Sequence, residues 1–249
     1  MKILTVNIWN GGRIWDSLIP FIQKLQPDII FMQEVFDSPR EDVEQRFRST
    51  QGIRDTLKYP YDHFTPAFIN AVEVGDVVEG LMILSKFPIV ENDTFYLYGE
   101  YGRRDLQTPD GFRSTPRILQ HAVVEYENKK LHLYNIHGIW DEHGDDTPLR
   151  LEMAKDILSY IDDAEYVILG GDFNVQPDTK TIRMIESTFT NVLRGETETT
   201  FNMKRKENLA FGKAIADMFF VSNNVTVTEK TVHHVDVSDH LPLSIEVEL

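Results

Sequence analysis

The chain has 249 residues, a formal net charge of −15 and no cysteine, which excludes disulfides, thiolate nucleophiles, zinc fingers and iron–sulfur clusters. With 41% hydrophobic and 26% charged residues, it has the composition of a globular protein that buries a core without covalent staples. The acidic balance argues against a broad cationic face for long nucleic acid, yet leaves room for a short stretch held through metal ions and a few arginines. MKILTVNIWN carries one lysine and no long apolar run, and no segment reaches the roughly 20 apolar residues of a membrane span. The expectation is a cytoplasmic monomer without a signal peptide or a span.

KILTVNIWNGG, at residues 2–12, reads as a buried strand leaving into a glycine turn. Ile14, Leu18, Phe21, Ile22 and Leu25 follow at helical spacing. DIIFMQEV is a second strand, ending in Gln33 and Glu34. Residues 41–58 read as a further helix, with REDVEQRFR as its solvated face, and residues 80–85 as a strand. Residues 91–117 read as irregular. Residues 118–127 and KLHLYNIHGIW form a hairpin about a turn at 127–130, its second strand again leaving into a glycine turn. Thr147 caps the next helix, with Pro148 at its first position and Leu151, Ala154, Ile157, Leu158 and Ile161 facing inward. EYVILGGDFN is a strand ending in Asp172 and Asn174. Residues 191–214 read as irregular, and residues 216–222, 225–232 and 241–248 as the last strands.

Each half thus repeats strand, helix, strand, and strands that are apolar on both faces outnumber helices. That pattern suits an α/β fold of two packed sheets with helices outside, formed as one domain over residues 1–249.

Polar residues end an apolar run in five places: Asn7, Glu34, His137, Asp172 with Asn174, and Asp239 with His240. Each alone has a bland explanation: a turn, an ion pair, a satisfied core histidine, a helix cap, a loop. Recurrence at five strand ends, always with proton-transfer or metal-binding chemistry, points to a site. Carboxylate and amide oxygens without thiolate select hard cations such as Mg²⁺ or Mn²⁺. Phosphodiester hydrolysis needs an activated water, charge stabilisation at phosphorus and a protonated or metal-bound leaving oxygen. Glu34 can anchor the ion and Asp172 orient the water. Asn7, Asn174 and protonated His137 can donate to the non-bridging oxygens. His240 can serve as acid or base if a partner fixes its tautomer, and Asp217 in AIADMFFVS is the candidate partner.

Taken in order, TVNIWN, QEV, YNIHG, GDFN, IADMFFVS and SDHLPL resemble the endonuclease/exonuclease/phosphatase superfamily, the fold of DNase I. EGLMILSKFPIV is similar to its central strand and RLEMAKDIL to its second-half helix. The resemblance implies a four-layer α/β sandwich of two mixed sheets flanked by helices. It implies Asn7 and Glu34 at a metal site with Asp239 near it, His137 and Asn174 on the phosphate, Asp172 aligning water, and Asp217 with His240 as the acid–base pair. Two positions depart from parts of the family. Trp9 stands where some nucleases carry a carboxylate, and His137 stands where abasic-site enzymes of the exonuclease III type have tyrosine. Trp140, in the insertion HGIWDEHGDDTPLR, stacks a base or sugar or else fills the core, and Arg103, Arg104 and Arg113 are candidates to meet phosphate or are simply solvated. The activity implied is a Mg²⁺- or Mn²⁺-dependent phosphodiesterase acting on a nucleotide or on short or single-stranded nucleic acid. A phospholipid or a sugar or inositol phosphate is the alternative substrate, and a non-catalytic binding module the alternative class. A calcineurin-like phosphatase would want a GNH motif that the chain lacks.

Overall fold

The computed structural model describes residues 1–161, 164–206 and 214–249. Strand β1 (Lys2–Asn7), helix α1 (Trp15–Leu25) and strand β2 (Ile29–Asp37) form the first strand–helix–strand unit, with β1 and β2 parallel and Asn7 opposite Gln33. After α2 (Ser49–Leu57), β3 (Tyr61–Val72) and β4 (Gly75–Ser85) extend this sheet as an antiparallel pair. Next come β5 (Ile89–Tyr98), β6 (Arg103–Arg104) and α3 (Pro109–Arg113). β7 (Arg117–Tyr126) and β8 (Lys129–His137) form the expected hairpin. α4 (Pro148–Tyr160) leads to β9 (Tyr166–Asp172), which runs parallel to β8 with Asp172 opposite His137. α5 (Lys180–Glu186), β10 (Thr190–Asn191), β11 (Asp217–Val221), β12 (Thr226–Val232) and β13 (Leu243–Glu248) complete the described elements.

The strands form two mixed sheets, ordered β12-β13-β1-β2-β4-β3-β6 and β10-β11-β9-β8-β7-β5. Ile3, Ile29 and Phe31 of the first meet Leu133, Ile168 and Phe219 of the second in a dry central layer. Leu18 and Ile22 of α1 cover the outer face of the first sheet, and Met153, Ile157 and Ile182 of α4 and α5 that of the second. Each such fully buried aliphatic side chain contributes about 1.5–3 kcal/mol. The result is the expected α/β sandwich. Among the described residues, no helix is long and apolar enough to cross a membrane.

A chain of amides crosses the dry layer. Gln33 Nε2 donates to Thr5 Oγ1 (3.1 Å) and to Asn135 Oδ1 (2.7 Å). Asn135 Nδ2 donates to Gln120 Oε1 (3.0 Å), whose Nε2 reaches Thr65 Oγ1 (2.9 Å) and the His63 carbonyl (2.8 Å). Because these bonds are directional, they fix the register of one sheet on the other, which hydrophobic contact alone leaves free to slide.

Several elements differ from expectation. Residues 41–58 are not one helix: a 3₁₀ turn (Gln45–Arg48) precedes α2, and the backbone breaks at Arg48, the N-cap of α2, at φ −135° and ψ 42°. Ser49 Oγ accepts from Phe36 N (2.8 Å) and donates to Phe36 O (3.1 Å), pinning the start of α2 to β2. The segment 91–117 is largely ordered, and β5 is an edge strand whose exposed Glu91, Asn92 and Asp93 hide its pattern. β3 and α5 lie where no element was expected. On α4, Thr147 caps as expected, accepting from Arg150 N (3.2 Å), but Met153 rather than Leu151 is fully buried. Part of the segment 191–214 lies outside the described residues.

Candidate active site

Parallel pairing brings the carboxyl ends of β1 and β2 together, and of β8 and β9 likewise, and packing of the sheets joins the two pairs. Backbone geometry then aims the side chains. The β2–β4 register slips between Met32 and Val35, and Glu34 sits in that bulge at φ 59°. Trp9, Asn10 and Asn174 are also left-handed, at φ 61°, 48° and 55°. Such conformations in non-glycine residues persist only where surrounding structure enforces them. The glycines of GGDFN have steric reasons. Gly170 lies against the Phe219 ring, and at Gly171, with φ 137°, a Cβ would strike the Ile136 carbonyl of the neighbouring strand.

Asn7 Nδ2 donates to Glu34 Oε1 (2.9 Å) and Asp172 Oδ2 (3.2 Å), while Asn7 Oδ1 accepts from Trp9 N (3.0 Å). Asn10 N donates to Glu34 Oε2 (2.6 Å). Asp172 Oδ2 lies 3.8 Å from both His137 Nε2 and His240 Nε2, and Asp172 Oδ1 accepts from Asn174 N (2.9 Å). Asn174 Nδ2 donates to the Gly138 carbonyl (3.2 Å). Asp217, opposite Asp172 on β11, places Oδ2 2.8 Å from His240 Nδ1. Ser238 Oγ donates to the Asn7 carbonyl (2.6 Å), tying the SDH loop to β1. Asp239 Oδ2 accepts from Lys206 Nζ (3.0 Å), and Lys206 lies over the Phe201 ring (4.1 Å). All eight residues singled out in the sequence therefore stand around one region, and Glu34, His137, Asp172, Asn174, Asp239 and His240 line a single cavity of about 350 Å³.

The electrostatics separate the titrating groups. Burial raises Asp172 to about 6, His240 opposing it and Asp217 adding to it. At His240 burial pulls downward, but Asp217, Asp172 and Asp239 outweigh it and hold the imidazole at about 9. Burial, with Arg117 and His240, pushes His137 well below the ordinary value. That direction gives no support to the expectation of a protonated His137; a neutral ring still has one N–H to donate.

Ligand atoms of Asp172, Asp217 and His240 lie within 4.8 Å of one another. The 2.8 Å bond from His240 to Asp217 makes that group a proton path in geometry. The hard-oxygen set is Glu34 with Asp172 and Asp239, carboxylates gathered beside the cavity and opposed by the Asn7 amide, the backbone N–H groups of Asn10 and Asn174, Lys206 and the nearby Arg117. Such an excess of anionic oxygen fits a divalent cation.

The three arginines suggested for phosphate are engaged elsewhere. Arg103 pairs with Asp76 (2.9 Å), Arg104 donates to the Ser114 carbonyl (3.0 Å), and Arg113 pairs with Glu142 (3.0 Å). Trp140 lines the cavity, as does Trp9. Sequence reasoning missed three cavity residues, Glu79, Arg117 and Lys206, and a buried residue of α4, Arg150. Glu79 is driven up to about 8 by burial and by Glu34, and accepts from Asn70 Nδ2 (2.7 Å). Arg150 is 1% exposed and donates to the carbonyls of Ile139 (3.0 Å), His143, Asp145 (2.7 Å) and Asn174 (2.6 Å). None of the four has a strand-end motif to mark it.

Among solved structures, the chain is 21% identical over 100% of both chains to an endonuclease/exonuclease/phosphatase family protein from Leptotrichia buccalis (TM-score 0.71). It is 17% identical to the human Nocturnin catalytic domain with bound sulfate, covering 100% of this chain and 94% of that one (TM-score 0.70). A mannosyl-6-phosphatase from Bacteroides thetaiotaomicron is 17% identical, with both chains fully covered (TM-score 0.69). No curated protein sequence matches the chain. The model of the endonuclease/exonuclease/phosphatase family matches residues 4–240, and with the sheet order and strand-end chemistry above, the chain belongs to that family.

Proposed function

We propose that this chain, acting as one catalytic domain over residues 1–249, is a Mg²⁺- or Mn²⁺-dependent phosphoesterase that hydrolyses a phosphodiester in a nucleotide or in a short or single-stranded nucleic acid. The observation that carries the reading is the position of Asp172. Its two oxygens reach Asn7, the Asn174 amide and the edges of His137 and His240 at once. Glu34, with Asn7 and Asp239, would hold the cation, which would supply neutralisation of phosphoryl charge. Asp172 aligns the attacking water. His137 and Asn174 donate to the non-bridging oxygens, and His240, its tautomer set by Asp217, moves the proton. Trp9 and Trp140 supply apolar faces for a base or sugar.

A second reading, a sugar or inositol phosphate, is favoured by the size of the cavity, which at about 350 Å³ suits a small ligand better than a through-running strand. The test is hydrolysis of plasmid, single-stranded DNA, RNA, a mononucleotide, a sugar phosphate and a sphingomyelin mimic with Mg²⁺ or Mn²⁺, beside thermal melts. Mg²⁺ at a hundred times its Kd should stabilise the protein by about 2.7 kcal/mol, and Glu34→Gln should remove that gain. Undiminished turnover in Asp172→Asn would refute the assignment of roles.

A further inference from the structure

Arg117 opens β7 and is 7% exposed. It lines the cavity beside Glu34, Glu79, His137 and Asp172. Its guanidinium makes no hydrogen bond or ion pair with any described residue. Buried charges are otherwise paired, because removing an ion from water is costly unless protein groups replace the hydration shell. The same fold supplies its own control. Arg150, equally buried, spends its donors on four backbone carbonyls. Arg150 is satisfied by protein acceptors, whereas Arg117 lines the cavity with none among the described residues.

We propose that Arg117 is a substrate-binding residue whose guanidinium receives oxygens of the substrate's phosphoryl group. The inference rests on the phosphoesterase reading and adds a binding residue to it. A guanidinium presents five N–H donors in a planar fork matched to two oxygens of a tetrahedral anion. It keeps its charge in this setting: burial lowers its pKa, but Glu79, Asp172 and Glu34 act in the opposite direction. Of these acids, Glu34 and Asp172 would repel an incoming phosphate. A cation held by Glu34 would supply part of the neutralisation, and the Arg117 guanidinium, lining the same cavity, would supply the rest. Glu79, tied to Asn70 Nδ2 at 2.7 Å, stays out of ion-pair contact with the arginine and so leaves the fork free for ligand.

The experiment uses the Mg²⁺-loaded protein with inorganic phosphate as probe, by isothermal titration calorimetry, together with steady-state kinetics on whichever phosphoester the substrate panel shows is turned over. Arg117→Met should weaken phosphate binding about ten- to a hundredfold, the loss of one or two charge-assisted hydrogen bonds, and raise KM. Arg117→Lys should fall between Met and wild type. Mg²⁺ affinity should hold or tighten in both, because a cation near the acids has been removed or kept, whereas a merely structural role would loosen Mg²⁺ and phosphate together. If Arg117→Met fails to fold, the Lys variant carries the test alone. Phosphate affinity within twofold of wild type in a folded Arg117→Met, or in the Lys variant where it stands alone, overturns the proposal. Wild type that turns over no phosphoester, yet loses phosphate binding on Arg117→Met, would instead overturn the phosphoesterase reading and leave Arg117 as the anion receiver.

Discussion

Replacing Asn135 by leucine, its near-isostere, tests whether the amide chain between the sheets acts as a unit. The substitution removes the acceptor of Gln33 Nε2 (2.7 Å) and the donor to Gln120 Oε1 (3.0 Å) and to the Met32 carbonyl (3.1 Å). Gln33 Nε2 keeps Thr5 as partner and the Met82 carbonyl loses only a long bond (3.4 Å), so Gln120 Oε1 and the Met32 carbonyl carry most of the loss. Each buried orphan costs about 1–3 kcal/mol, giving about 2–6 kcal/mol for Asn135→Leu. Removing the three amides at once is different in kind. The triple variant Gln33→Met, Gln120→Met, Asn135→Leu leaves no side-chain amide unsatisfied and deletes Gln33 Oε1, a buried acceptor without a protein partner, so the carbonyls of Met32 and His63 carry the remaining loss. It should therefore lose less stability than the sum of its three single losses, while slackening the register between sheets. Urea unfolding followed by far-UV circular dichroism, with the denaturant slope unchanged, measures both. A triple variant that loses the sum of its three single losses would refute the reasoning.

Arg150→Met should cost about 3 kcal/mol or more, because a buried side chain making charge-assisted bonds to four carbonyls leaves them unpaired; protease nicking within residues 138–146 should appear first. The pH dependence of stability in EDTA reports His240. Its folded pKa of about 9 lies above the ordinary 6.5, so its contribution is complete below 6.5 and is lost as pH rises through about 9. Asp217→Asn removes the nearest carboxylate, so the stability gap between wild type and variant should shrink across that window. A gap independent of pH would count against the His240–Asp217 pair as its source.

Much of this architecture was legible because apolar strands ending in polar residues leave a signal in both composition and order. Asn7, Glu34, His137 and Asp172 each follow a run of buried residues, and parallel pairing makes those four ends neighbours. β5 was illegible because an edge strand exposes Glu91, Asn92 and Asp93, so period-two alternation is lost. β3 was missed for a related reason: it carries Pro66 and is only partly buried. Arg117 and Arg150 look alike in sequence, each an arginine beside apolar residues. Only coordinates show that one is satisfied by carbonyls and the other faces a cavity. The downward shift of His137 was equally hidden, since it depends on burial and on Arg117 and His240 rather than on any neighbour in the chain.

Trp9, Asn10, Glu34 and Asn174 hold a left-handed backbone that glycine would adopt at lower energy. Selection for heat resistance and selection for turnover then pull in opposite directions at these four positions. A library screened only for survival at high temperature should gather glycines at Asn10 and Asn174, and each such clone would trade aim for endurance.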